Sequence, residues 1–231
     1  MKKILVIAAH PDDEVLGCGG TISKLVQQGS NVYTLLLGEG QTARGKVSQD
    51  EIDTLNKEMH KANEVMGVKK IFWLKFPDNR FDQVALLDIV KEIEKIIDIV
   101  KPDTIFTHHF GDLNIDHQIT YKAVLIATRP LPEKNIKEIY SFEVPSSTEW
   151  NGFSASTAFI PNVFIDISNT IDKKIEAMTK YKSELKDYPH PRSLKHIREL
   201  AVVNGSIVGL NYCEAFVLIR RIINNNHIDQ D

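Results

Sequence analysis

The chain has 231 residues, of which 42% are hydrophobic and 26% charged, and its net charge is −3. These values are ordinary for a soluble globular protein, and the absence of a basic excess argues against nucleic acid as a partner. The longest apolar run near the start, from Ile4 to Ala9, is too short for a signal peptide or a membrane span. We therefore expect a cytoplasmic protein with no integral membrane segment. The two widely separated cysteines, Cys18 and Cys213, favour free thiols in a reducing compartment.

Strands and helices alternate along the first part of the chain. The first strand is short and fully apolar, which is typical of a parallel sheet buried on both faces. Glycine or proline follows each of the stretches with helical spacing. The predicted order is strand 3–9, helix 19–29, strand 31–37, helix 49–66, strand 70–76, helix 83–100, strand 103–109 and helix 116–129.

The second part of the chain adds strands at 138–144, 162–167 and 213–220 and helices at 170–186 and 192–203. We find no linker, internal repeat or low-complexity segment. The sequence therefore predicts one domain spanning 1–231, with C-terminal elaborations from about residue 140. The alternation of strands and helices indicates an α/β sandwich with a parallel sheet.

Two polar clusters follow predicted strands. The first is AAHPDDEVLGCGG at 8–20, and the second is THHFGDLNIDH at 107–117. Because ligands bind outside the carboxyl ends of parallel strands, both clusters are expected on one edge of the sheet. Imidazole and carboxylate groups are zinc ligands, and a catalytic zinc needs three of them plus an open position. The clusters offer His10, Asp12, Asp13, Glu14, His108, His109, Asp112, Asp116 and His117.

Simpler interpretations of the first cluster exist. Acidic residues after a strand are common at a helix N-terminus, where the helix dipole favours negative charge. The glycines of GCGG suggest a nucleotide-binding loop, but they lack the G-x-G-x-x-G spacing, and the three preceding acids would repel a pyrophosphate. We read Glu14 as a structural residue, hydrogen-bonded within its own loop.

The motif AHPDDEVLGCGGTI, followed by a later DH pair, resembles the PIG-L family of N-acetylglucosaminyl deacetylases, also called LmbE-like. The resemblance extends through Gly38–Arg44, Phe76–Asp82 and Gly111–His117. It implies a Rossmann-like three-layer sandwich with a mostly parallel sheet. It also implies a metal-dependent hydrolase that removes acetyl groups from N-acetylated amino sugars. The cofactor would be Zn²⁺, or another divalent metal such as Fe²⁺, and the family also includes homo-oligomers.

Carried over onto this sequence, the family pattern makes His10, Asp13 and His117 the metal ligands. Asp12 would be the general base, and Asp116 would be a partner of a metal ligand. A water bound to the metal would attack the acetamide carbonyl while Asp12 takes its proton. The same carboxyl would then protonate the leaving amine.

One position departs from the family pattern. Many relatives have a histidine three residues before the last ligand, where this chain has Asn114. An asparagine amide can donate a hydrogen bond to an oxyanion but carries no positive charge. Either Asn114 acts as a neutral donor, or His109, His190 or Arg192 takes this role. The predicted contacts to the substrate are Arg44, Asp78, His109 and Arg192.

Other functions fit the same residues. The protein is alternatively a metal-dependent amidase acting on another N-acyl group or on a thiol-sugar conjugate. A non-catalytic sugar- or nucleotide-binding module is a third reading, although such a module has no need of a free base beside an open metal site. In each case the predicted partner is a small molecule.

Overall fold

A computed structural model describes residues 1–40, 48–131, 135–152 and 154–223. Within these ranges, helices alternate with strands up to β5, as the sequence predicts. The elements in chain order are β1 (Lys3–Ala8), α1 (Asp13–Gln27), β2 (Asn31–Gly38), α2 (Gln49–Met66), β3 (Lys70–Phe76), α3 (Leu86–Val100), β4 (Thr104–His108), α4 (Ile115–Ala127), β5 (Glu138–Phe142), β6 (Val163–Asp166), α5 (Ile171–Met178), α6 (Leu194–Ile207) and β7 (Cys213–Arg221).

The strands form one sheet in the order β3-β2-β1-β4-β5-β7-β6. The first five of these run parallel, with Ile4 opposite Val32 of β2 and Leu5 opposite Ile105 of β4. Strand β7 is antiparallel to both β5 and β6. The mostly parallel α/β fold is therefore confirmed. The chain leaves β1 in one direction and returns to its other side with β4, and this reversal is where open sheets bind ligands.

Two hydrophobic layers cover the faces of the sheet. Alternate residues of β1 contribute to each layer, which explains why this strand is apolar throughout. Ile4 and Val6 join the layer beneath α1, α2 and α5, whereas Leu5 and Ile7 join the layer beneath α3 and α4. Among the described residues, no helix is both long and apolar enough to cross a bilayer.

Helix α1 differs from its prediction, since it begins at Asp13 rather than at residue 19. It is interrupted by a kink at Cys18, where φ is −149°. A side chain at Gly17 would lie 2.3 Å from the ring of Phe142, so the helix approaches the sheet closely here. Helix α5 is also shorter than predicted and ends at Met178, after which Tyr181 turns into the interior.

Candidate metal centre and active site

The loop between β1 and α1 presents two adjacent aspartates in different directions. Asp12 has a φ of 108°, a left-handed conformation that is unusual for a residue with a side chain. Its backbone N–H donates to Glu14 Oε2 at 3.1 Å, while its carboxylate reaches Arg192 Nη1 at 3.0 Å. The carboxylate of Asp13 accepts a hydrogen bond from the backbone N–H of His10 at 2.9 Å. The turn at Asp12 thus separates the two carboxylates.

The structure brings His10, Asp13 and His117 together as a potential metal-binding group. One donor atom from each lies within 4.8 Å of the others, and all three residues are buried. Asp13 Oδ2 lies 3.4 Å from His10 Nδ1 and 3.3 Å from His117 Nε2. Asp13 Oδ1 and His117 Nε2 make no well-formed hydrogen bond with the described residues. Such buried polar atoms are rare without a partner, and this donor set suits a divalent cation such as zinc.

An aspartate carboxylate contacts the ring nitrogen of each imidazole that lies on the side away from Asp13. Asp116 Oδ2 accepts from His10 Nε2 at 2.9 Å, and Asp112 Oδ2 lies 3.2 Å from His117 Nδ1. The other nitrogen of each ring therefore faces Asp13. Carboxylates in this position fix the orientation and tautomer of metal-ligating histidines. Asp78 Oδ1 also lies 3.1 Å from His10 Nε2, so Asp78 belongs to the same cluster.

Both outer carboxylates are themselves held in place. Asp116 Oδ1 accepts a hydrogen bond from the backbone N–H of Phe81 at 2.9 Å. Asp112 accepts from the hydroxyls of Ser147 and Thr148, which follow β5. The connections that follow β3, β4 and β5 therefore come together around the imidazoles of His10 and His117.

The pKa values show how strongly these carboxylates favour positive charge. Burial by itself lowers the pKa of His10, but hydrogen bonds to Asp116 and Asp13 raise it to about 10. Burial likewise lowers the pKa of His117, and the charges of Asp13 and Asp112 raise it to about 9. The pKa of Asp13 is held well below its usual range by these histidines, although burial opposes this. A divalent cation satisfies the same electrostatic preference.

His108 supports the site from the end of β4. Its Nε2 accepts the backbone N–H of Ala9 at 2.8 Å, and its ring stacks on that of His117 at 4.0 Å. Burial, followed by the charge of His117, lowers the pKa of His108 to about 3. This neutral ring ties β1 to β4 and fixes the plane of His117. The sequence places His108 and His109 at the end of a strand, where a packed and hydrogen-bonded histidine is expected, and His108 is that residue.

Asp12 lies next to an arginine that the chain supplies from far downstream. Burial raises the pKa of Asp12 well above its usual range, and the Arg192 guanidinium acts in the opposite direction. Arg192 Nη1 also contacts Glu184 Oε2 at 3.0 Å, and its Nε donates to Ser146 Oγ at 2.9 Å. The segment before α6 thereby contacts the loop that follows β1. Glu184 and Ser146 escaped the sequence analysis because they carry no motif.

Glu14 makes the expected hydrogen bond within its own loop and reaches two further elements. Its Oε1 accepts from Tyr181 Oη at 2.6 Å and from Asn63 Nδ2 at 2.9 Å. Burial raises the pKa of Glu14 to about 7. This carboxyl group therefore joins α1 to α2 and to the segment after α5.

Asn114 and His109 have other contacts. Asn114 is the N-cap of α4: its Oδ1 accepts from the backbone N–H of Asp116 at 2.8 Å, and its Nδ2 donates to Asn79 Oδ1 at 3.0 Å. His109 Nε2 donates to the carbonyl of Thr157 at 2.9 Å. Neither contact tests the predicted roles of these two residues. Arg44 lies outside the described residues.

The fold and this donor set define a Rossmann-like α/β protein with a candidate metal site at one edge of its sheet. The PIG-L family model, described as GlcNAc-PI de-N-acetylase, matches residues 5–128. A diacetylchitobiose deacetylase from Thermococcus kodakarensis is 30% identical over 93% of this chain and 82% of that protein. The chain therefore belongs to the PIG-L family.

Solved structures confirm the fold over nearly the whole chain. An N,N'-diacetylchitobiose deacetylase from Pyrococcus horikoshii has a TM-score of 0.76 at 23% identity, covering 95% of this chain and 84% of that one. The 4-carboxy-2-hydroxymuconate hydratase from Pseudomonas putida has a TM-score of 0.75, also at 23% identity, covering 98% and 99%. Because the same fold carries a hydratase and a deacetylase, the reaction must be argued from the site.

Proposed function

We propose that the protein is a zinc-dependent N-deacetylase that hydrolyses the acetamide of an amino-sugar conjugate. The observation that carries this proposal is the geometry of Asp12 and Asp13. The carboxylate of Asp13 lies between the imidazoles of His10 and His117, each of which contacts a further carboxylate. The carboxylate of Asp12 instead contacts Arg192 and is not one of the potential metal ligands. The deacetylase relative is similar over most of its length, which favours this reaction over the hydratase. The free thiols of Cys18 and Cys213 support a reducing, cytoplasmic location.

His10, Asp13 and His117 would hold the cation. When bound, it supplies a Lewis acid that polarises the amide carbonyl and makes water more acidic. Asp116 and Asp112 contact the other nitrogen of each imidazole and keep both rings oriented, and the cation would replace the proton on the nitrogen that faces Asp13. The predicted alternative metals, such as Fe²⁺, accept the same nitrogen and oxygen donors.

Asp12 performs the proton transfers. Its carboxylate accepts the proton of the attacking water and then donates it to the nitrogen of the leaving amine. Burial raises the pKa of Asp12 and so favours the first transfer, in which the carboxylate accepts a proton, whereas the charge of Arg192 lowers this pKa and so favours the second, in which the carboxyl donates it. Each requirement is met by a different neighbour, which is how a buried carboxyl serves as both base and acid.

Arg192 is our candidate for the role of the missing histidine. Its guanidinium lies 3.0 Å from Asp12, and it keeps its charge at any working pH, since burial does not overcome the carboxylates around it. A cation at this position stabilises negative charge on the tetrahedral oxygen. Asn114 stays a prediction as a neutral donor; its Oδ1 caps α4, and its Nδ2 donates to Asn79 in the connection after β3.

Release of free amine from N-acetylated amino sugars tests the proposal. Zinc-loaded wild type and Asp12→Asn are compared, with zinc content measured on both. We expect Asp12→Asn to bind zinc normally and to lose about 10²- to 10⁴-fold in kcat. Asp98→Asn, an exposed carboxylate on α3, is the matched control and keeps full activity. Near-normal activity of Asp12→Asn would disprove the assigned base, and a zinc-loaded wild type inactive on every sugar would disprove the deacetylase.

A further inference from the structure

Trp150 is exposed beside the candidate active site. It lies in a single 3₁₀ turn, Glu149–Asn151, in the connection after β5, and 51% of its surface is exposed. The second tryptophan of the chain, Trp73, is partly buried, and its Nε1 donates to the carbonyl of Gly38 at 2.8 Å. An indole left in water exposes a large apolar face, so an exposed tryptophan near a binding site favours a role in recognition.

Two chains of contacts join Trp150 to the site from different sides. Its backbone N–H donates to the carbonyl of Ser147 at 3.3 Å, and the hydroxyl of Ser147 donates to Asp112 beside His117. On the other side, the Trp150 ring packs against His190 with centroids 5.6 Å apart. His190 Nδ1 accepts the backbone N–H of Arg192, whose side chain reaches Asp12.

The two rings form a rigid corner. The planes of Trp150 and His190 meet at 77°, and His190 is fixed because its Nδ1 is a hydrogen-bond acceptor. The adjacent Asn151 Nδ2 donates to the carbonyl of Gly111 at 2.7 Å. A side chain at Gly111 would lie 2.0 Å from the carbonyl oxygen of Thr157, so only glycine fits there. The loop that carries Trp150 is therefore held in place before any ligand arrives, which lowers the cost of binding.

The chemistry of this corner matches a pyranose ring. A pyranose has an apolar C–H face that packs on an indole and a rim of hydroxyl groups that form hydrogen bonds. Because His190 Nδ1 accepts a hydrogen bond from the backbone N–H of Arg192, Nε2 of the neutral ring carries the proton and is a donor for such a hydroxyl. Leu113, which is 52% exposed, donates its backbone N–H to the same Ser147 carbonyl as Trp150 and extends the apolar surface.

We propose that Trp150 and His190 bind a second, neutral sugar ring that is linked to the N-acetylated sugar undergoing hydrolysis. The preferred substrate is then a disaccharide or longer glycoside, and a free monosaccharide is a poorer one. This inference rests on the proposed function, because it extends the same site by one sugar.

Steady-state kinetics of Trp150→Ala, with N-acetylglucosamine and its β-1,4-linked dimer as substrates, is the first test. We expect about a tenfold rise in KM for the dimer, with kcat unchanged and the monomer unaffected. Trp150→Phe, which keeps an aromatic face, restores most of the affinity. Ile207→Ala, which shortens another exposed apolar side chain, has no effect. An unchanged KM for the dimer, or equal losses for both sugars, would overturn the proposal.

Fluorescence separates this inference from the proposed function. In the Trp73→Phe variant, Trp150 is the only remaining tryptophan, so its emission reports this corner alone. We expect the dimer to shift the emission of zinc-loaded Trp73→Phe at concentrations where the monomer does not. This result holds even if no amine is released, in which case the deacetylase fails and the sugar site stands. Emission that responds to an alkyl glucoside but not to the dimer would show that the corner binds an apolar aglycone, contrary to our proposal.

Discussion

Replacing Lys174 with methionine tests how the fold maintains the kink in α1. Lys174 Nζ is buried, lies 2.6 Å from Glu214 Oε1 and donates to the carbonyl of Leu16 at 2.8 Å. Glu214 accepts the backbone N–H groups of Gly20 and Thr21 at 2.9 and 2.7 Å. The ion pair thereby satisfies backbone groups on both sides of the kink.

The expected loss of stability follows from the charged group that the substitution leaves without a partner. Methionine fills a similar volume, but the Glu214 carboxylate stays buried, only 4% exposed, without its cation. Breaking a buried pair in this way costs about 3–5 kcal/mol, out of a total stability of about 5–15 kcal/mol. The double variant Lys174→Met/Glu214→Gln removes the charge as well. It should therefore be more stable than the single variant by about 1–3 kcal/mol.

Urea unfolding at neutral pH measures these differences. The control is Lys95→Met, which breaks the exposed ion pair with Glu92 and should change the free energy of unfolding by less than about 1 kcal/mol. If Lys174→Met is no more destabilising than Lys95→Met, the pair does not hold the kink and our reasoning is refuted. A double variant that is less stable than Lys174→Met would refute the argument from the unpaired charge.

Three further predictions concern the site and its surroundings. Asp116→Asn should weaken zinc binding by about 10- to 100-fold, measured by competition with a chelator, because His10 loses the carboxylate that orients it. Removal of the metal with a chelator should abolish amine release, and added zinc should restore it; activity that survives would exclude a catalytic metal. Burial raises the pKa of Glu143 from 4.5 to about 7, so the native state keeps a proton that the unfolded chain has lost in this window. Glu143 should therefore contribute a loss of stability of up to about 3 kcal/mol as the pH rises from 4.5 to 7, and Glu143→Gln should reduce the slope in unfolding experiments by this amount, leaving the contribution of Glu14 in the same window.

Much of the fold was predictable because its signals are local. The apolar run of β1 requires burial on both faces, and a glycine or proline marks the end of each of the first four helices. The first and last residues of the helices were less predictable. Helix α1 begins six residues earlier than expected, at Asp13, and the backbone groups on either side of its kink at Cys18 bond to Lys174 and Glu214, which are more than 150 residues away.

The sequence by itself determined which chemical groups reach the edge of the sheet. The motif around His10 and the pair Asp116–His117 follow adjacent parallel strands, so proximity was expected from chain order and strand direction alone.

Only the tertiary structure decided what surrounds these groups. Arg192 reaches Asp12, Ser147 donates to Asp112, and Trp150 packs on His190, each through contacts between segments far apart in the chain. Such contacts leave no periodicity or motif, because they depend on how connections of different length come together at one edge. The charge around Asp12, and with it the base that we propose, is therefore a property of the folded chain.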